Sequence, residues 1–297
     1  MGDLRVVDEV DDGLRARVEA LVAAAARADA HPPLGDAKLA ALRRGGATFG
    51  VAAHETPAGL AGWVQAVALE DRTTWNLQTV VAPGGERDLR TALTAEAIAE
   101  AARRGARRVQ WWVARAGPAD DRDATALGLG RWRDLLQMHR PLPIEEEPDF
   151  PGTVRVRPFV PGRDDAAWLD VNGRAFAEHP EQRVFGAGDL KGRMEEQWFD
   201  PEGFLLAEED GALVGFCWTK IPDAAHGEIY VIGVDPAHRG RGLGRALVLA
   251  GLHHMAARGL PMASLYVDGD NTAAAGLYRQ LGFEVDHVDR AYAGAPT

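Results

Sequence analysis

Val81-Ala82-Pro83 and Val234-Asp235-Pro236 stand 153 positions apart, and Leu127-Gly128 and Leu281-Gly282 stand 154 apart. An offset held over about fifty residues is the mark of a duplication, so the chain must fold as two copies of one architecture. In the second copy "TVRVRPF" reads as a strand, "DDAAWLDVNGRAFA" as a helix, and "FLLAEED" and "ALVGFCWTKI" as a hairpin turning on Asp210-Gly211. "GEIYVIGV" is a further strand, 242–258 an apolar-periodic helix, "MASLYVD" a strand, "NTAAAGLYRQL" a helix capped by Asn271, and "FEVDHVDRAY" a last strand. The first copy follows the same order through "TFGVAAHE", "LAGWVQAVALE", "WNLQTVVA", a helix over 88–104, "RRVQWWVA", "DRDATALGLG" and "RWRDLLQMHRPL". Between the copies, "RPLPIEEEPDFPGTV" holds four prolines and an acidic triplet and reads as an extended linker. The expected organisation is α/β throughout: a domain over 1–140, a linker over 141–152 and a domain over 153–297.

Several classes of function drop out. A formal net charge of −11 opposes binding to a phosphate backbone, so no nucleic-acid partner is expected. No apolar run reaches the ~18 residues of a membrane helix, and the N-terminus is acidic without an apolar signal core; a cytoplasmic monomer is expected. A lone cysteine, Cys217, excludes a multi-cysteine metal site. His253 and His254 are neighbours on one helix, about 100° apart, and do not readily chelate one ion, so no metal is expected.

Against the acidic balance stands a basic, glycine-rich stretch, "VIGVDPAHRGRGLGRAL". Interior glycines weaken a helix by roughly 1 kcal/mol each, so their clustering at a helix start calls for an offsetting ligand. Without Cβ atoms the backbone N–H groups approach an anion closely, and the helix dipole favours one. The spacing fits neither the nucleotide P-loop nor the dinucleotide fingerprint. It resembles the acetyl-CoA pyrophosphate loop of the GCN5-related N-acetyltransferases, Q/R-x-x-G-x-G/A, with Arg239, Gly242 and Gly244 on the pattern positions.

That resemblance implies two tandem domains of the family's fold, each a mixed, mostly antiparallel sheet flanked by helices, with acetyl-CoA as co-substrate. It assigns the acetyl and pantetheine contacts to Ile232, Gly233 and Val234, and the pyrophosphate to Arg239, Gly240, Arg241, Gly242, Leu243, Gly244 and Arg245. The later helix adds Asn271, Thr272, Ala273, Ala274, Ala275 and Gly276, with Tyr278 beside the departing sulfur. In the first copy Glu86, Asp88 and Arg90 stand where Gly240, Gly242 and Gly244 do, and Ala124 where Tyr278 does. Side chains and carboxylates there oppose the pyrophosphate, so this copy is expected to be non-catalytic. A residual acetyl-CoA contact through Thr79, Val80 and Val81 with Arg87 and Arg90 is expected.

The resemblance is narrower over "VNGRAFAEHPEQ", "GFCWTK", "GEIYVIGVDPAHRGRGLG" and "LYVDGDNTAA". These segments look like tandem members of the family that acetylate the cysteine α-amine of cysteinyl-glucosaminyl-inositol, a small thiol-sugar. By that likeness Asp36, Glu181, Lys220, Glu228 and Tyr266 contact the substrate, Glu228 is the general base and Tyr278 the general acid. Each residue also has a plain reading: a helix cap for Asp36, a solvated loop charge for Glu181, a strand-end charge for Lys220, an ion pair for Glu228, core packing for Tyr266 and Tyr278. Strand alternation places Glu228, Tyr230 and Ile232 on one face. Two other functions stay open: acetylation of another small amine, such as an aminoglycoside or polyamine, and a non-catalytic acyl-CoA-sensing module.

Overall fold

The computed structural model describes the chain apart from residues 1–3, 30–32, 36–37, 40, 43–47, 53–54, 57–58, 86, 178–184 and 297. It divides into two compact units, Met1–Leu135 with His287–Thr297, and Leu136–Asp286.

The first unit contains β1 (Arg5–Val7), α1 (Asp12–Asp29), β2 (Thr48–Ala52), the short β3 (Glu55–Thr56) and β4 (Gly59–Leu60), β5 (Gly62–Ala68) and β6 (Thr74–Val81). These are followed by α2 (Arg87–Arg103), β7 (Arg108–Val113), α3 (Pro118–Ala126) and the start of β8 (Gly130–Pro141). Its sheet runs β1-β2-β5-β6-β7, antiparallel except where β6 meets β7. Leu93, Ala97 and Ala101 of α2 pack with Leu77 and Trp111 on one face. Leu14, Val18 and Leu21 of α1 pack with Trp63 and Val80 on the other.

The second unit contains β9 (Val154–Pro158), α4 (Asp165–Ala175), α5 (Ala187–Met194), β10 (Phe204–Glu209), β11 (Ala212–Lys220) and β12 (His226–Val234). Then come α6 (Leu243–Ala257), β13 (Met262–Asp268), α7 (Thr272–Gln280) and the start of β14 (Glu284–Gly294). Asp210 and Gly211 turn the β10–β11 hairpin with φ of +50° and +80°, the left-handed backbone a two-residue turn requires. The sheet runs β9-β10-β11-β12-β13, with β12 and β13 parallel and the rest antiparallel. Leu247, Val248, Leu252 and Met255 of α6 fill the core on one face. Trp168 of α4, Leu190 of α5, Phe204, Phe216 and Trp218 fill it on the other.

The duplication is plain in the register of elements. Arg108 and Met262 open corresponding strands, Pro118 and Thr272 corresponding helices, and Gly130 and Glu284 corresponding strands, each pair 154 positions apart. The chain passes between the compact units at Leu135–Leu136 and at Asp286–His287. The segment read as a linker contributes Leu142 and Ile144 to the core of the second unit. The last strand leaves that unit and pairs with β7 from Arg290↔Val113 to Gly294↔Val109. Arg290 is held there by Asp134 at 2.8 Å and Asp121 at 3.0 Å, and the Tyr292 hydroxyl donates to Asp121 at 2.9 Å. Among the described residues no helix is long and apolar enough to cross a membrane.

Candidate active site

The site grows from a fault in the second sheet. β12 and β13 pair from His226↔Met262 to Ile229↔Leu265, after which β12 continues to Val234 paired with β11 alone. Beyond Ile229 one side of the β12 backbone is therefore turned to the gap between two diverging strands. β11 opposes Trp218 to Val231 and Thr219 to Ile229, so Tyr230 is an extra residue, a β-bulge, where the strands begin to part.

The bulge also resets which side chains share a face. Lys220 is opposite Glu228 across β11 and β12, and Glu228 is opposite Ser264 across β12 and β13. Alternation from Ser264 adds Tyr266 to the same face. Tyr230 and Val231 both pack on that side, against the aromatic cluster of Trp168, Phe204 and Trp218. Ile232 instead pairs with Cys217 and packs in the core beneath α6. The expectation that Glu228, Tyr230 and Ile232 share a face thus holds for the first two and fails for Ile232, because one inserted residue shifts a period-two pattern. Lys220, Glu228 and Tyr266, half-buried, are brought together. Asp36 and Glu181 lie outside the described residues.

At the end of β12 the Asp235 side chain accepts from the Ala237 N–H at 2.9 Å, tightening the Pro236–His238 turn that follows the strand. Gly240 and Gly242 take φ of +77° and +84°, and Gly242 is the N-cap of α6 with no side-chain cap. The N–H groups of Leu243, Gly244 and Arg245 in the first turn have no intrahelical acceptor, which leaves donors suited to an anion. No heavy atom lies within 4 Å of a Cβ built on Gly240 or Gly242, so the cradle is open. These features fit a pyrophosphate.

The arginines are less available than the sequence suggested. Arg241 is bidentate on Glu209 at 2.6 and 2.7 Å, and Arg245 on Glu146 at 2.9 and 2.8 Å. Arg241, with the Thr153 hydroxyl, holds the Glu209 carboxyl down at about 2. Arg239 donates to the Ala175 carbonyl at 3.0 Å. The backbone cradle, more than guanidinium charge, is what the loop offers.

Asn271 caps α7, its side-chain oxygen accepting from the Ala274 N–H at 3.1 Å. Helix α7 carries Tyr278 into the core on the α6 side, where its ring meets Phe283 edge-on at 5.9 Å. Burial pushes the Tyr278 phenol up to about 12, and among the described residues none hydrogen-bonds its hydroxyl. Cys217 is fully buried, and burial raises its thiol to about 12 as well, which keeps it protonated and inert.

In the first unit β6 and β7 part in the same way, after Gln78↔Trp112. Between them lies a cleft of about 320 Å³, lined by Thr79, Val80, Val81, Arg90, Trp111 and Trp112 among others. Arg87 and Arg90 are drawn to Asp120 and Asp123 on α3. Asp88 is described and exposed at the start of α2, and Glu86 lies outside the described residues. Ala124, at the position of Tyr278, is fully buried.

Trp198, which no motif in the sequence marks, lies with its ring 5.2 Å from the Lys220 ammonium and 5.1 Å from the ring of Tyr230. Its segment carries no periodic pattern that would single it out. Among the described residues no group of three histidine, cysteine or carboxylate side chains is placed to hold a metal ion.

The description "Acetyltransferase (GNAT) family" matches residues 172–283, the span from α4 through α7. Two solved structures share the fold across nearly the whole chain. A tandem GNAT protein from the clavulanic acid biosynthesis pathway has a TM-score of 0.76 at 20% identity, covering 99% of each chain. A GCN5-related N-acetyltransferase from Sphaerobacter thermophilus has a TM-score of 0.73 at 23% identity, covering 98% of this chain and 95% of its own. Mycothiol acetyltransferase of Thermomonospora curvata is 43% identical over 97% of this chain and 96% of its own length. That of Thermobispora bispora is 44% identical over 97% and 99%. With the splayed strands and the glycine cradle, this likeness along both units establishes that the chain belongs to the mycothiol acetyltransferase family of tandem GCN5-related N-acetyltransferases.

Proposed function

We propose that the second unit transfers the acetyl group of acetyl-CoA to the cysteine α-amine of cysteinyl-glucosaminyl-inositol, giving mycothiol and CoA. The observation that carries the reading is the opposition of Lys220 and Glu228 on the face beside the β12–β13 gap. A pocket with both charge signs suits a polyhydroxylated amine better than a polyamine, which calls for carboxylates alone.

The chain must supply a base, an oxyanion donor and an acid. Glu228 takes the proton of the substrate ammonium, directly or through water; a cysteine α-amine near ~7 to 8 asks little of a carboxylate relay. Backbone N–H groups of Ile232–Val234 on the gap side donate to the carbonyl oxygen as it gains charge, an interaction worth ~2.7 to 4 kcal/mol where such donors are preorganised. As the amine nitrogen bonds to the acetyl carbon and the carbon–sulfur bond breaks, Tyr278 gives its proton to sulfur; the nitrogen then sheds its remaining extra proton, and the phenolate regains one from solvent once the products leave. A phenol at about 12 does not surrender its proton to a free thiolate whose conjugate acid lies near ~8.5, so donation is concerted with departure, in a site closed to water. Gly242, Leu243, Gly244 and Arg245 hold the pyrophosphate by backbone N–H, with Arg239, Gly240 and Arg241 around it. Asn271 through Gly276 flank the pantetheine arm. Tyr266, on the same face as Glu228, belongs to the amine pocket, and Asp36 and Glu181, outside the described residues, are assigned to the substrate by resemblance alone.

The first unit, lacking the open cradle and the tyrosine, is read as non-catalytic. Thr79, Val80 and Val81 with Arg87 and Arg90 give it a weaker acetyl-CoA contact in its own cleft. Residues 1–140 and 153–297 are read as the two evolutionary copies, and the protein as a cytoplasmic monomer.

The test is to supply acetyl-CoA with cysteinyl-glucosaminyl-inositol, an aminoglycoside or a polyamine, and to follow CoA release and the mass of the product. Turnover with the first alone is expected. Preference for a polyamine or aminoglycoside would replace the substrate, and acetyl-CoA binding without turnover of any amine would favour a sensing module.

A further inference from the structure

Lys220 ends β11, half-buried, with its ammonium 5.2 Å from the ring of Trp198 and 5.5 Å from that of Tyr230. The two rings meet at 5.1 Å and 60°, and both lean on the buried Trp218, at 5.9 Å from Trp198 and 5.3 Å from Tyr230. The aromatic walls are thus anchored to the core, and the cation stands against their negative faces. Alternation from Glu228 puts Tyr230 on the side that Lys220 and Glu228 share, and the bulge adds Val231 to it.

A lysine on a flexible stem loses much rotamer freedom when a ligand orders it. An ammonium already held against two aromatic rings has lost part of that freedom before binding. We propose that Trp198 is a positioning residue for the amine substrate: with Tyr230 it cages the Lys220 ammonium beside Glu228, so that the cation meets the hydroxyls of a sugar or cyclitol in a fixed place. This rests on the reading of Lys220 as a substrate contact. Trp198 acts through Lys220 and takes no part in acetyl transfer, and its aromatic face, more than its bulk, is what matters.

The experiment compares Trp198→Leu, Trp198→Phe, Lys220→Met and the Trp198→Leu/Lys220→Met double variant in the full chain, using acetyl-CoA and cysteinyl-glucosaminyl-inositol. Trp198→Leu is expected to raise KM for the amine by roughly 3- to 10-fold, the size of a partly exposed cation–π contact, with KM for acetyl-CoA unchanged. Trp198→Phe restores most of the loss, and in the Lys220→Met background Trp198→Leu adds little. Calorimetric binding of acetyl-CoA to each variant reports an intact fold. Equal damage from Phe and Leu, or full additivity with Lys220→Met, overturns the cage while leaving Lys220 a substrate contact. An amine KM untouched by Lys220→Met overturns the reading of Lys220 itself, and the cage with it.

Discussion

Lys220 and Glu228 stand directly opposite each other across the antiparallel pair β11–β12, on the face of the sheet turned away from α6. Facing positions of this kind hold their Cβ atoms about 4.5–5.5 Å apart, so the two charges share one small region where the strands begin to part. A cation and a base are thereby set at a single place from two neighbouring strands, and each can be tested separately.

Glu228→Gln should lower activity most below the pKa of the amine and progressively less above it. Below ~7 to 8 the substrate is an ammonium that needs a base, and above that range the free amine attacks unaided. A loss of roughly 10²-fold or more near pH 6, shrinking toward pH 9, is the expected pH–rate profile. A loss uniform across pH would recast Glu228 as a residue that only orients the amine.

Gly242 tests the cradle. At φ +84° a Cβ has open space but an unfavourable backbone, costing about 1–2 kcal/mol. Gly242→Ala should therefore raise KM for acetyl-CoA by roughly tenfold, with KM for the amine little changed. Gly242→Asp, which adds a carboxylate as at Asp88 of the first unit, should abolish turnover and the tighter of two acetyl-CoA sites in calorimetry. An amine-specific defect in Gly242→Ala would detach the loop from the co-substrate.

The ion pair of Glu209 and Arg241 predicts an acid-stability signature. The folded protein holds this carboxyl at about 2, below its ordinary 4.5, so its contribution is complete above 4.5 and fades as pH falls from there toward about 2. Melting temperatures of the native protein and Glu209→Gln should stand apart above about pH 5 and converge in strong acid. A gap that stays constant down to about pH 2 would contradict the assignment.

Much of this was legible in the residues, for local reasons. Gly242 at a helix start, the Asp210-Gly211 turn and the Asn271 cap are decided within a few positions, and each appears as expected. What escaped depends on distant partners or on a break in periodicity. The Tyr230 bulge cannot be read from a pattern of period two, and it moved Ile232 to the other face. Arg241 and Arg245 read as free cations until Glu209 and Glu146, 32 and 99 positions away, neutralise them. The last strand was recognisable as a strand, while its pairing with β7 rests on Asp121 and Asp134 meeting Arg290. Asp36 and Glu181 were named by resemblance alone.

The proposed acetyl transfer through the gap beside β12 turns on Tyr278 supplying the proton to sulfur. Burial raises its phenol to about 12, so the donor keeps its proton through pH 10 and no alkaline loss of activity from this group is expected below about pH 11. The direct measurement is kcat and KM for the native protein and Tyr278→Phe with two acyl donors whose thiols differ in acidity. The expected result is a kcat lower by roughly 10²- to 10⁴-fold with acetyl-CoA, an unchanged KM for acetyl-CoA, and partial recovery with the more acidic leaving thiol. An unchanged kcat, or a loss that ignores the leaving group and appears in KM, would contradict it.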